Sequence, residues 1–194
     1  MTTDDIIPLE THPWEAFIPE GAKVLIMGTF PPPPNRWSMN FYYPNRTNDF
    51  WPAMSLIFHG DRNALNAKAG KGFDIDAIKQ LLTAHHIALS DTGHKIRRLA
   101  GNASDKFLEI VEPVNLHALL ERMPLCRTVV TTGEKAAGVV AAITETAAPA
   151  MGLMTEGPDG LEIWRMPSTS RAYPLALEKK AEYYERMFRH AGII

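Results

Sequence analysis

Lys23-Val24-Leu25-Ile26-Met27-Gly28-Thr29-Phe30-Pro31-Pro32-Pro33-Pro34 is the segment on which the fold class turns. Four apolar residues in a row, with a lysine before and a glycine after, read as a short strand that is buried on both faces and ends in a turn. Proline fixes φ and has no amide proton, so residues 31–34 are predicted as an extended loop of polyproline type. A buried strand that empties into a rigid loop is the start of an α/β unit, and the flanking sequence continues it.

Downstream of the proline run lies an aromatic cluster, Trp37, Phe41, Tyr42 and Tyr43. Residues 48–58 then read as a helix: Phe50, Trp51, Met54, Ile57 and Phe58 share a face, Thr47 or Asn48 can cap, and Pro52 is tolerated in the first turn. Residues 74–85 repeat apolar positions at helical period and lead into a strand over 87–89. The polar, basic segment 91–102 is predicted as a loop, and 106–111 and 116–123 as short helices. The β-branched run 128–132 is a third strand, followed by a turn at Gly133 and a helix over 134–146. Residues 161–166 form a fourth strand, paired in a hairpin with 152–156, and an amphipathic helix carrying Leu177, Ala181, Tyr184 and Phe188 closes the chain.

Strands alternating with helices imply right-handed crossovers and a parallel sheet covered on both sides. The expectation is one α/β domain over residues 1–194, a three-layer sandwich with a central four-stranded parallel sheet flanked by helices. In such sheets ligands bind beyond the carboxyl ends of the strands, so the loops after Met27, Leu89, Thr132 and Met166 should meet.

Composition narrows the function. The 194 residues carry 20 basic and 22 acidic side chains, a formal charge of -2, and 45% hydrophobic residues, enough apolar surface for one full core. The one cysteine, Cys126, excludes an intrachain disulfide, an all-cysteine zinc site and a cysteine-ligated iron-sulfur cluster. No cofactor or metal is expected. Residues 1–10 lack the pattern of a signal peptide, and no window has the roughly 18 to 20 apolar residues of a membrane span, so a cytoplasmic protein without membrane contact is expected. The phosphate-loop, dinucleotide, nucleophile-elbow and zinc-protease signatures are all missing.

Two segments carry the chemistry that remains. The first runs from Gly28, Thr29 and Phe30 through Tyr42 and Tyr43 to Asn45-Arg46-Thr47-Asn48-Asp49-Phe50-Trp51. It offers flat aromatic faces and an amide beside a rigid loop, the equipment for stacking a planar heterocycle and holding a water next to it. The second is Pro167-Ser168-Thr169-Ser170-Arg171, a hydroxyl-rich turn with an arginine, suited to a phosphate. His94, Lys95, Arg97 and Arg98 form the densest positive cluster, ordinarily a solvated face.

Together these residues resemble the uracil-DNA glycosylase superfamily, most closely its hypoxanthine and mismatch-type branch. The resemblance covers most of the chain and implies a monofunctional DNA glycosylase that removes a deaminated or mispaired base, uracil or hypoxanthine, and so initiates base excision repair. It implies that Asn48 is catalytic, the role other branches give to the first strand-loop motif. Here that motif holds Thr29 and Phe30, neither of which activates water. Asp49 is a neighbouring acid able to act instead. Gly28, Thr29, Phe30, Tyr42, Tyr43 and Thr132 would contact the base, and Ser168, Thr169, Ser170, Arg171, Lys95 and Arg97 the DNA backbone. The partner would be double-stranded or single-stranded DNA containing a damaged base, bound by a monomer. Two other readings stand beside it: a non-catalytic DNA-binding relative that recognises damaged or mismatched DNA, and an adaptor whose proline run docks in an aromatic groove.

Overall fold

A computed structural model of the chain describes residues 7–102 and 104–194, so the reading of residues 1–10 lies in part outside the described residues. Its centre is a five-stranded sheet in the order β3-β2-β6-β8-β7, formed by β2 (Val24–Gly28), β3 (Ile87–Asp91), β6 (Thr128–Thr132), β7 (Met154–Glu156) and β8 (Glu162–Met166). The first four in that order run parallel, as expected. The sheet gains a fifth strand because β7 pairs antiparallel to β8 through the expected hairpin. β2, β3 and β6 are buried at every position, which is why they read as unbroken apolar or β-branched runs.

Helices cover both faces. Val24, Ile26, Leu89, Val130 and Met166 face α1 (Phe50–His59), α2 (Ile75–Ala84) and α5 (Leu177–His190) in one apolar cluster. Leu25, Met27, Ala88, Val129 and Ile163 face α3 (Leu116–Glu121) and α4 (Glu134–Thr144) in another. Residues alternate along each strand between the two clusters, the period of two that a pleated backbone imposes.

Two sequence expectations are corrected. Residues 91–102 are not a loop, and 106–111 are not a helix. They supply β4 (Gly93–Arg98) and β5 (Leu108–Pro113), which join β1 (Leu9–Thr11) in a second, antiparallel sheet of order β1-β4-β5. β5 is preceded by a single 3₁₀ turn at Asp105–Phe107. β4 hid its alternation because one of its inward positions is an arginine: Ile96 is buried, and so is Arg98, which donates from Nε to Glu10 at 2.9 Å and from an Nη to the Pro31 carbonyl at 2.6 Å. The outward Lys95 and Arg97 pair with Glu112 and Glu109 across the ladder.

The proline run is likewise only partly as expected. Pro31 is buried and Pro34 opens a 3₁₀ turn, Pro34–Arg36, with the Trp37 indole donating back to the Pro32 carbonyl at 2.7 Å. A run whose first residue is buried and whose carbonyls are engaged is not a free ligand for an aromatic groove.

Candidate active site

The strand order itself marks the site. From β2 the chain passes through α1 and α2 to β3 on one side, and later returns to β6 on the other side of β2. The connections leaving β2 and β6 therefore depart over opposite faces, and a crevice opens beyond their carboxyl ends. A cleft of about 490 Å³ occupies it, within the roughly 300–1,000 Å³ common for small-molecule sites. It is lined by Gly28, Thr29 and Phe30 after β2, Asp91 at the end of β3, Thr132 at the end of β6, and Ser168, Thr169 and Ser170 after β8. All four strand-end loops meet, as the fold class required.

At the cleft floor the packing around Gly28 is close. A Cβ there would stand 2.6 Å from Asp91 Oδ1, 3.2 Å from the Tyr43 hydroxyl and 3.6 Å from Thr132 Oγ1, so only glycine fits. Tyr43 lines the cleft with one ring face stacked on Phe50, centroids 3.8 Å apart, and its hydroxyl shares a 3.1 Å hydrogen bond with Thr132 Oγ1. Burial, and then the negative charge of Asp91, hold the Tyr43 phenol well above its ordinary pKa of 10.0, so it stays protonated. Tyr42 does not line the cleft. It is buried behind it, donating to the Glu15 carbonyl at 3.0 Å and stacking on His12.

Asn48 also lines the cleft. Its Oδ1 accepts from the Phe50 amide at 2.8 Å, an Asx-type turn that satisfies the first amide of α1 from the residue before its N-cap, Asp49. That bond identifies which end of the amide is oxygen, and it leaves the Oδ1 second lone pair and both Nδ2 protons for other partners. Asp49 is spoken for. Its Oδ2 accepts from the fully buried Lys180 at 2.9 Å, its Oδ1 from Arg171 Nε at 3.0 Å, and its amide donates to the Thr169 carbonyl. Asp49, Lys180 and Arg171 thus clamp the 168–171 turn to the first turn of α1, which sets that turn beside Asn48.

Within that turn Ser168 Oγ accepts from the Ser170 amide and Ser170 Oγ from the Ala172 amide, both at 3.2 Å, leaving each hydroxyl proton free to be donated. Thr169 is buried, and Arg171 is outside the cleft lining. Lys95 and Arg97 are not brought to the cleft either; they lie in the small sheet, paired with glutamates.

Sequence reading missed the acidic groups of the site. Asp91 and Asp105 both line the cleft. Asp91 is 7% exposed, and its Oδ2 accepts from His12 Nε2 at 2.8 Å. Burial alone would favour the neutral His12 ring, but the Asp91 hydrogen bond and charge and the Trp14 carbonyl outweigh it and raise its pKa above 6.5. Asp105 accepts from Thr29 Oγ1 at 2.9 Å; although the residue as a whole is exposed, its carboxyl is crowded by the cleft wall and repelled by Asp91, which raises its pKa. The signal for Asp91 was an acid at the very end of a buried strand, Ile87-Ala88-Leu89-Ser90-Asp91, where burial of a charge is costly without a partner.

The chain is similar to the solution NMR structure of a protein from Methanosarcina acetivorans provisionally described as a uracil DNA glycosylase, with a TM-score of 0.67 over 95% of this chain and 99% of that one. The two share a fold. Sequence identity is 20%, and no family model and no curated protein matches the sequence. Among the described residues no helix is long and apolar enough to cross a membrane.

Proposed function

We propose that the protein is a monofunctional DNA glycosylase that draws a deaminated or mispaired base, uracil or hypoxanthine, out of DNA and hydrolyses its N-glycosidic bond. The observation that carries this reading is the convergence of Tyr43, Asn48, Asp91 and the Ser168–Ser170 hydroxyls on one cleft at the switch point of the sheet. The shared fold with the archaeal protein agrees with it. The placement of Asn48 in the cleft, with Phe30 where other branches carry a catalytic side chain, favours the hypoxanthine and mismatch-type branch of the superfamily.

Each lining group has a task in that chemistry. Phe30 and Tyr43 present aromatic surface to a flipped base, and the Ser168 and Ser170 hydroxyls donate to a phosphate beside it. Flipping costs a few kcal/mol and least at a mismatch, which gives selectivity for damaged sites without contacts to every base. The glycosidic bond opens through an oxocarbenium-like sugar, so the site must hold a water on the far face of the sugar and tolerate the departing base anion. Asn48, with an amide oxygen lone pair and two amide protons unspent, orients that water. No lysine lines the cleft, in keeping with hydrolysis rather than an imine intermediate. The protein acts as a monomer on single-stranded or double-stranded DNA in the cytoplasm. Lys95 and Arg97 lie outside the cleft, and their pairs with glutamates are exposed and weak, so both remain available to the DNA backbone.

Single-turnover assays on oligonucleotides carrying uracil, hypoxanthine, xanthine or mispaired thymine, with abasic sites revealed by alkaline cleavage, test the reading; no abasic product from any of them sinks it. Asn48→Ala should lower cleavage at least roughly a hundredfold while binding to an abasic-site duplex survives. Asn48→Ser, which retains an oxygen for the Phe50 amide, separates lost catalysis from loss of that hydrogen bond, itself about 1 kcal/mol. Phe30 in place of a first-loop acid favours a second reading, a DNA-binding relative without chemistry, which predicts tight abasic-duplex binding by the parent protein and no cleavage.

A further inference from the structure

Three described carboxylates lie at or beside the cleft, and they differ in what their oxygens are doing. Both oxygens of Asp49 are occupied, by Lys180 and Arg171. Asp105 sits at the exposed rim with Oδ2 taken by Thr29. Asp91 is buried at the cleft floor; its Oδ2 is held by His12, while its Oδ1 lies against Gly28 with no donor among the described residues. A carboxylate with one oxygen anchored and the other turned toward a cleft is arranged to hold a water.

His12 is placed to keep Asp91 in that pose. The ring is stacked on Tyr42 with centroids 5.7 Å apart and meets Trp14 and Phe30 edge-on, so it is confined on several sides. Its Nδ1 lies 2.9 Å from the Trp14 carbonyl oxygen and 3.2 Å from the Trp14 amide nitrogen. When the ring is charged, Nδ1–H donates to the carbonyl; when it is neutral, Nδ1 accepts from the amide. In both states Nε2 keeps its proton and donates to Asp91. His12 does not line the cleft, so it acts only through Asp91.

Resting on the glycosylase reading, we infer that Asp91 is the catalytic acid–base group of the site, supplied by the third strand rather than by the loop after the first central strand, and that His12 is its positioning residue. In the step, the C1′–N electron pair leaves with the base, the oxygen of a water held between Asp91 Oδ1 and Asn48 bonds to C1′, and the proton shed by that water passes to Asp91. The base anion takes a proton from solvent, and Asp91 returns its proton to solvent. Nothing is oxidised or reduced. The other ionisable groups around the His12–Asp91 pair are Tyr42, Tyr43 and Asp105 beside Asp91 and Glu15 beside His12.

The test is single-turnover cleavage of the parent protein's preferred lesion duplex. Asp91→Asn should cut at least roughly a hundredfold more slowly with abasic-duplex affinity within a few-fold of the parent. Asp91→Ala opens space beside Gly28, and added formate should restore a measurable part of its rate, which a purely structural role would not allow. His12→Phe should lower the rate with KM unchanged, and His12→Gln, which can still donate, should recover most of it. An Asp91→Asn protein that cleaves within tenfold of the parent, or a folded Asp91→Ala protein indifferent to formate, overturns the assignment while leaving the glycosylase reading intact. A parent inactive on every lesion overturns both.

Discussion

At the scale of single residues, Gly28 shows how little space separates a strand end from the groups on the cleft floor. Its missing side chain is what lets Asp91, Tyr43 and Thr132 approach one another from three different elements. Gly28→Ala would push Asp91 Oδ1 away from a Cβ placed at 2.6 Å, and a displacement on the order of 1 Å at such a group costs about a hundredfold in rate. On the proposed assignment of Asp91, single-turnover cleavage should therefore collapse while abasic-duplex binding changes little. Gly28 is visible in the sequence as the turn after a buried strand. That it is needed for close approach, and by which groups, is not, because Asp91 and Thr132 lie 63 and 104 positions away along the chain.

Among the elements, α1, the 168–171 turn and α5 are joined by one buried carboxylate. Lys180 is fully buried and spends its charge on Asp49 and on the Ser170 carbonyl, 2.8 Å away. Removing one partner of a buried pair strands the other, at about 3 kcal/mol or more. Lys180→Met should lower the urea midpoint accordingly, and by more than Arg171→Met, because Arg171 is exposed and contributes little to the pair. Periodicity revealed α5 and even its apolar face, but nothing in the neighbouring residues marks Lys180 as buried and paired. The same substitution of a paired charge for an apolar side chain concealed β4 and β5: Arg98 occupies an inward position, and Glu109 and Glu112 face cations rather than solvent alone. Pattern reading counts apolar residues, and it fails where a fold buries a charge by pairing it.

Over the whole molecule, the amino-terminal segment is drawn across the strand ends, so that His12 reaches Asp91 from 79 positions earlier in the chain. This pairing links stability to pH. Because the folded His12 pKa is raised above 6.5, the pair contributes fully at pH below about 6.5, and the contribution is lost as pH rises through the folded pKa. Urea midpoints measured across that interval should fall with rising pH in the parent protein and show a flatter trend in His12→Gln; equal slopes would mean that the pair contributes no such linkage.

The succession of the four parallel central strands and the helices between them, and the position of the cleft beyond the four strand ends, follow from the sequence by itself, since alternating buried strands and amphipathic helices admit few other arrangements. The setting of Asn48 at a helix start and of Tyr43 in a rigid aromatic loop was legible too, because it is written in adjacent residues. Only the tertiary structure decided which charges are paired and with what: Asp49 with Lys180 and Arg171, Lys95 and Arg97 with exposed glutamates, and Asp91 through one oxygen with His12. The physical reason is that the availability of a charged group depends on partners brought from distant parts of the chain, and no local pattern records them.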